Sequence, residues 1–501
     1  MSREPRVAII GAGISGIATA YTLRQAGFTD VVVLEKGSDV GGVWHWNRYP
    51  GLTCDVPSQL YQFSFAPKAD WSRVWASGRE IQRYHRDVCD RLGLSERIRL
   101  NTEVVSAEYA DGTWTLTDQR GERIVVDFLI CATGVLHNPA IPDLPGLGDF
   151  AGRLVHTARW DDEIVTDGRR VGVIGTGSTG VQVVSALAPG ARSVTHFVRS
   201  PQWILWAPMR IPQPRIAGRV LRRAPRLHSR VYDAFLRASG ILADIVTTPS
   251  WRRRAVQAYA RLSLRLQVRD PRLREMLTPD YQPLCKRQVV SGSYYRALQR
   301  ADTELVTDGI AQVTPTGVTT VDGRHHELDV LVLATGFRTH DYMRPMHVVG
   351  RDGLTLDQAW TSGPRAYRMT AIPGFPNLFT VLGPNSPTGS ISLQHSAELT
   401  ARYIAQWLER FRRGEVDTVE VTGAATERFQ EQVAGAMGPT VWNTGCSSWY
   451  LTEGGAIDLW PFDRATMERM LAAPDESDFE TRTRPFGQDA TPPGFDRHTP
   501  G

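Results

Sequence analysis

Residues 7–20 read VAIIGAGISGIATA, and residues 171–182 read VGVIGTGSTGVQ. In each, a short apolar run, Val7 to Ile10 or Val171 to Ile174, ends in a G-x-G-x-x-G turn that opens a helix. Gly11 and Gly175 make the tight turn, and Gly13 and Gly177 let the backbone approach a pyrophosphate. Gly16 and Gly180 let the helix lie close on its strand. The helix start offers free N–H groups and a partial positive charge to phosphate, so Ser15, Ser178 and Thr179 join the glycines as candidate cofactor contacts. One such motif is weak. Two copies, each between an apolar strand and an Ala/Val-rich helix, mark two nucleotide-binding units.

The end of each second strand tells the units apart. Nineteen residues after Gly16 stands Glu35, followed by Lys36, and a carboxylate there accepts from ribose hydroxyls. Nineteen residues after Gly180 stands Arg199, followed by Ser200, and an arginine there suits a ribose 2′-phosphate. The first unit therefore reads as an FAD site and the second as an NADPH site. Solvated charges at strand ends are the plainer alternative for either residue alone. An oxidoreductase with two such nucleotides passes hydride from one to the other.

After Glu35 runs GGVWHWNRYPGLTCDVPSQLYQFSF, residues 41–65, too irregular for one helix and too aromatic for a solvent linker. It reads as an ordered loop on a large planar ligand, with Gly42, Val43, Trp44, Asp55, Val56 and Tyr61 as candidate contacts; the alternative is a purely structural aromatic loop. A helix is expected at 79–92 and strands at Ile98–Leu100, Val104–Tyr109, Trp114–Asp118 and Ile124–Ile130, an antiparallel meander ending in FLICATG (128–134). Val104, Thr133 and Gly134 are placed with the first cofactor. LVLATGF at 331–337 repeats that ending, as crossings between two domains would.

The expected fold is thus α/β, with two Rossmann-like dinucleotide-binding domains, the second inserted in the first. The FAD-binding domain spans residues 1–139 and 341–473, the NADPH-binding domain 140–340, and a flexible tail 474–501. A strand followed by GPNSPTGS marks the return to the first domain, and residues 396–412 form an amphipathic helix.

A helical insertion is expected at about 205–275. Between Arg210 and Glu275 lie sixteen arginines, opposed by Asp233, Asp244, Asp270 and Glu275 alone, with Leu and Val interleaved at near-helical spacing. It is either a solvated arginine face or a surface drawn to an anionic membrane or acidic partner.

At 501 residues, with 42% hydrophobic and 22% charged residues, the chain is an ordinary globular one of two to four domains. A net charge of +4 is too small to imply nucleic-acid binding. Cys54, Cys89, Cys131, Cys285 and Cys446 form no C-x-x-C, so neither a zinc site nor a redox disulfide is indicated, and no metal is expected. No stretch supplies the ~20 apolar residues of a membrane span, and the first strand leaves no room for a leader. A cytoplasmic place is the expectation.

Two further stretches carry a family resemblance. FAGRLVHTARWD (150–161) fits the F-x-G-x-x-x-H-x-x-x-W-[PD] fingerprint of type I Baeyer–Villiger monooxygenases through Phe150, Gly152, His156, Trp160 and Asp161. GGVWHWNRYPGLTCD fits a second signature through Gly42, Trp44, Tyr49, Pro50, Gly51 and Asp55. YQPLCKRQVVSGSYY resembles the segment holding the family's active arginine. The resemblance implies Arg287 as the catalytic arginine, Asp55 as its partner, Lys286, Arg199 and Ser200 at the NADP 2′-phosphate, and Trp449 against NADP. It implies that NADPH reduces FAD, that O2 adds at the flavin C4a, and that the resulting peroxide attacks a ketone, giving an ester or lactone; sulfides are a further substrate.

Those residue types suit that chemistry. A fixed arginine stabilises negative charge at any working pH, whereas a lysine in a dry pocket loses its proton. A carboxylate at Asp55 would hold the guanidinium through bidentate bonds. His156 and Trp160 read better as fixing the domain junction than as acid–base groups. Two other readings stay open: an N- or S-oxidising flavin monooxygenase, and a flavin-bearing binding protein without turnover. Oligomeric state is not legible.

Overall fold

The computed structural model describes residues 3–387 and 391–483. Its frame is two five-stranded parallel sheets. The first runs Leu378–Thr380, Phe128–Cys131, Val7–Ile10, Val31–Leu34, Ile98–Arg99, and the second runs Thr303–Val306, Ser193–Phe197, Arg170–Ile174, Val330–Leu333, Arg153–His156. Parallel strands covered on both faces read as unbroken apolar runs, and Val7–Ile10 and Phe128–Cys131 are buried along their whole length. In both sheets the glycine-loop strand is central, so each loop opens at the middle of a carboxyl edge, where α/β sheets bind ligands.

All strands of the second sheet lie in the chain between Phe128–Cys131 and Leu378–Thr380 of the first. The two Ala-Thr-Gly turns carry the crossings. Thr133 Oγ1 donates to Tyr342 O at 3.2 Å, Thr335 Oγ1 to Ala140 O at 2.6 Å, and Ala140 N to Gly336 O at 2.9 Å. The outgoing and returning chains therefore run side by side.

Three sequence expectations need correction. The expected strand Ile124–Ile130 is two strands: Arg123–Val126 ends the antiparallel meander, and Phe128–Cys131 enters the parallel sheet. The break falls at Asp127, whose buried carboxylate accepts from Arg6 N at 2.9 Å and pairs with Arg3 and Arg6. Ile98–Arg99 likewise joins the parallel sheet, not the meander. The tail does not begin at 474, because Phe479–Arg482 pairs antiparallel with Thr418–Val421. Phe479 is buried beside Trp407 and Tyr367, with ring centroids 4.8 and 5.6 Å away, and burying such a ring is worth roughly 1.5–3 kcal/mol. Residues 484–501 lie outside the described part.

Helix Gly78–Arg91 starts where Ser77 caps Glu80 N, and Leu393–Arg412 where Ser392 caps His395 N. The latter packs its Ile404, Trp407, Leu408 and Phe411 into the core with Ile17, Ala18 and Leu23 of Ile14–Gln25. The insertion is helical, as Arg215–Arg223, Pro225–Thr247, Trp251–Gln267 and Pro271–Met276.

Candidate active site

The first glycine turn is built by sterics. Gly11 sits at φ +102°, and a Cβ there would meet Ala132 O at 2.6 Å. Helix Ile14–Gln25 begins at Gly13 with no side-chain cap, leaving its first N–H groups to a ligand. Ser15 and Gly16 lie buried within it. Glu35 is buried at the end of Val31–Leu34, its Oε2 accepting from Ala12 N and its Oε1 from Gly37 N, both at 2.7 Å. Burial raises its pKa, and the two backbone donors oppose that rise. Lys36 beside it is half-buried.

Gly42, at φ +54°, lies so close to the glycine turn that a Cβ would meet Gly13 Cα at 3.0 Å. It caps the single-turn helix Val43–Trp46, from which Trp44 Nε1 donates to Tyr61 OH at 2.9 Å. Val56 packs against the same core; Val104 is buried with Ile10 and Leu34. Gly134, at φ +71°, faces open space just beyond Thr133.

The second turn repeats the first at Gly175, φ +114°, against the Ala334 backbone. Helix Ser178–Leu187 again begins uncapped, at Gly177, where a Cβ would meet nothing. Ser178 Oγ is buried without a partner among the described residues. An orphaned hydroxyl beside free N–H groups and empty space fits a nucleotide phosphate. Gly180 is buried behind it.

The helix also receives the aromatic loop. Tyr49 OH donates to Gln182 Oε1 at 3.1 Å and accepts from Thr179 Oγ1 at 3.3 Å, while Gln182 Nε2 donates to Thr53 O at 2.9 Å. These bonds fix residues 49–53 on the second unit and set Asp55 at the seam. There Arg287 Nη2 lies 3.1 Å from Oδ1 and 3.0 Å from Oδ2 of Asp55. One nitrogen straddles both oxygens, so the fork-to-fork pairing expected from the sequence is not formed. The Asp55 charge, above all, holds the guanidinium's pKa above its ordinary value.

Tyr61, Cys54 and Tyr450 lie near this pair, whose arginine is exposed on its other side. Burial holds Tyr450 up to about 12, and it raises Tyr61 and Cys54 too, so all three stay neutral beside a charged pair. Next in the chain, Lys286 Nζ stands 3.3 Å from Ser200 Oγ and 4.3 Å from the Tyr281 ring centre. Burial lowers its pKa, and the charge of Arg199 lowers it further against the pull of Asp280. A lysine on the Ser200 hydroxyl within the field of Arg199 offers donors suited to a doubly charged anion. Trp449, partly exposed, leans on Tyr450 at 4.3 Å between ring centres and accepts through its carbonyl from Thr339.

His156 Nδ1 accepts from Ala158 N at 3.1 Å, and burial lowers its pKa to about 4. It is neutral at ordinary pH, and Trp160 is buried in the second unit's core.

The sequence reading missed Gln182, Tyr450 and a cross-link. Cys285 and Cys446 form a disulfide with Cα atoms 6.1 Å apart, 161 residues apart in sequence. The absent C-x-x-C reports only on neighbours in the chain and says nothing of a pairing at this separation. The bond ties the segment of Trp449 and Tyr450 to the residue preceding Lys286 and Arg287. Cys54, Cys89 and Cys131 are free and buried.

Comparison with known proteins agrees in kind. A family model described as pyridine nucleotide-disulphide oxidoreductase matches residues 8–223. An uncharacterised monooxygenase of Mycobacterium tuberculosis is 51% identical over 96% of this chain and 97% of its own. A Baeyer–Villiger monooxygenase of Streptomyces coelicolor is 35% identical over 95% of this chain and 92% of its own. The solved structure of cyclohexanone monooxygenase from Rhodococcus sp. Phi1, bound to NADP+, superposes with a TM-score of 0.86 at 30% identity, covering 96% of this chain and 99% of that one.

Proposed function

The chain belongs to the type I Baeyer–Villiger monooxygenases, and on that premise we propose that Arg287, held by Asp55, is the cation of its oxygen-inserting step. The protein is an NADPH- and O2-dependent FAD monooxygenase that converts a ketone to an ester or lactone. The unit carrying Gly11, Gly13, Ser15, Gly16, Glu35 and Gly42 binds FAD. The unit carrying Gly175, Gly177, Ser178, Thr179 and Gly180 binds NADPH, whose 2′-phosphate is held by Arg199, Ser200 and Lys286. The domain limits are those given from the sequence, with the first domain extended through the strand Phe479–Arg482.

When bound, FAD reduced by NADPH supplies the activated oxygen. Its transfer to the ketone is governed by residues of this chain. Negative charge develops on the former carbonyl oxygen, and the Arg287 guanidinium stabilises it without giving up a proton. Asp55 takes one Nη group, leaving Nε and Nη1 for the reacting oxygens. Tyr61 and Tyr450 put aromatic surface beside the pair, but the Arg287 side chain is 46% exposed, so keeping water from the activated oxygen would fall to the bound cofactors as well. Trp449 would lie against the bound nicotinamide nucleotide.

The observation that carries this reading is the Arg287–Asp55 pair at the seam of two uncapped glycine helices. The experiment is product analysis on the purified, yellow protein with a series of ketones of graded size and one amine. Ester or lactone formed in step with NADPH consumption is expected. An oxygenated amine without ester would transfer the protein to the N-oxidising monooxygenases, and NADPH use indifferent to every ketone would refute turnover. Sulfide oxidation and a cytoplasmic place belong to the proposal; the three buried free thiols suit a reducing compartment and the Cys285–Cys446 bond weighs against one.

A further inference from the structure

Helix Trp251–Gln267 has its faces reversed. Its buried positions are Arg253, Gln257, Ala260, Ser263 and Leu264, mostly polar or small. At 3.6 residues per turn, Trp251, Tyr259, Leu262 and Leu266 fall within an arc of about 80° on the other side. These four are 69%, 43%, 50% and 71% exposed. A helix of a globular protein ordinarily does the opposite.

The orientation is fixed from beneath. Arg253 Nε donates to Ile245 O at 2.8 Å, and its Nη2 donates to Val246 O at 3.0 Å and Pro439 O at 3.1 Å. Rolling the helix to hide Trp251 would break all three and bury the arginines that border the apolar stripe. Those borders are Arg252 on one flank and Arg254, Arg261 and Arg265 on the other, all exposed. Tyr259 OH donates to Trp206 O at 2.8 Å, which brings a further tryptophan, 44% exposed, to the edge of the stripe. On helix Arg215–Arg223, Ile216 and Val220 are also exposed, 71% and 45%, one turn apart.

An apolar stripe with arginine borders selects its occupant. A second copy of this chain would bring the two positive rims together, which costs energy. A nucleic acid would meet the arginines and leave the tryptophans and leucines without use. An anionic bilayer satisfies both, with the stripe in the acyl boundary and the guanidinium groups among the headgroups. No helix among the described residues is long and apolar enough to cross a membrane, so the seating is in the plane of the surface.

We propose that Trp251, Tyr259, Leu262 and Leu266, with Trp206, form a membrane-surface site that seats this enzyme on anionic lipid. The assignment stands apart from the catalytic one and fails separately. The test is flotation of the FAD-loaded protein with phosphatidylcholine vesicles, with and without phosphatidylglycerol. Flotation with the anionic vesicles only, weakened about tenfold or more by high salt, and a blue shift of tryptophan emission are expected. The double variant Leu262→Glu/Leu266→Glu changes only exposed positions, so it folds and keeps its turnover of a water-soluble ketone while losing flotation. Absence of wild-type flotation would overturn the proposal. So would equal flotation of the variant, or a wild-type dimer that the variant dissociates, which would make the stripe a subunit contact.

Discussion

Nη2 of Arg287 lies about equally far, 3.0 and 3.1 Å, from the two carboxylate oxygens of Asp55, across 232 residues of chain. A bond of this kind orients the guanidinium without using it up, since Nε and Nη1 have no hydrogen-bond partner among the described residues. Arg287→Ala is therefore expected to bind both cofactors and to accept hydride from NADPH at a near-normal rate. Ester formation should fall by about 10²–10³-fold or more, the effect of losing an electrostatic donor at a developing charge. Anaerobic reduction followed by stopped-flow absorbance, beside product yield, separates the two steps. A normal ester yield would remove Arg287 from the mechanism.

Asp55→Asn tests the partner. The amide keeps the shape and loses the charge that raises the arginine pKa. The yield of ester per NADPH should drop, with hydrogen peroxide making up the difference, while the arginine stays in place. A yield equal to wild type would reduce Asp55 to a structural group.

Lys286 reaches Ser200, and it is desolvated within the field of Arg199. Lys286→Ala should raise KM for NADPH by about 10–100-fold, the worth of one charge-assisted bond. KM for NADH, which lacks the 2′-phosphate, should barely move. Parallel weakening of both would place Lys286 elsewhere on the cofactor.

The glycine loops were legible because their chemistry is local: strand, turn and helix start lie within a few residues, and Gly11 and Gly175 are dictated by their own φ. The Arg287–Asp55 pair was reached only through family resemblance, since nothing in the spacing joins positions 55 and 287. Gln182, Tyr450 and the disulfide left no trace, because each acts on a distant segment and breaks no periodicity. Asp127 was misread for a related reason: a buried carboxylate paired with Arg6 and Arg3 looks, in sequence, like one polar residue in a long strand.

The Cys285–Cys446 bond sets a thiol count. The denatured protein without reductant should titrate three thiols, from Cys54, Cys89 and Cys131, and after reduction five. The native protein should react slowly, because burial raises the pKa of all three thiols and disfavours the reactive thiolate. Cys446→Ser should cost about 2–5 kcal/mol of stability, as expected for opening a long loop. Five thiols before reduction would show that the cross-link is absent.

Acid should destabilise this protein well above the range in which carboxylates titrate, and His85 is the reason. Burial lowers its pKa to about 3, and both of its ring nitrogens are buried without a partner among the described residues. His196, which contacts Gly175 O at 2.9 Å and Tyr294 OH at 3.1 Å, is lowered to about 4. The unfolded chain protonates such a side chain near pH 6.5, and the folded one only far below. Between those values the unfolded state binds more protons, so stability is complete above about pH 6.5 and is lost as pH falls toward 4. Two such groups amount to several kcal/mol over that window. His85→Phe should remove one share, because an apolar ring replaces an unpartnered polar one: it should be close to neutral at pH 7.5 and stabilising at pH 5. Urea midpoints of both proteins across this range decide it, and parallel pH profiles would clear His85 of the effect.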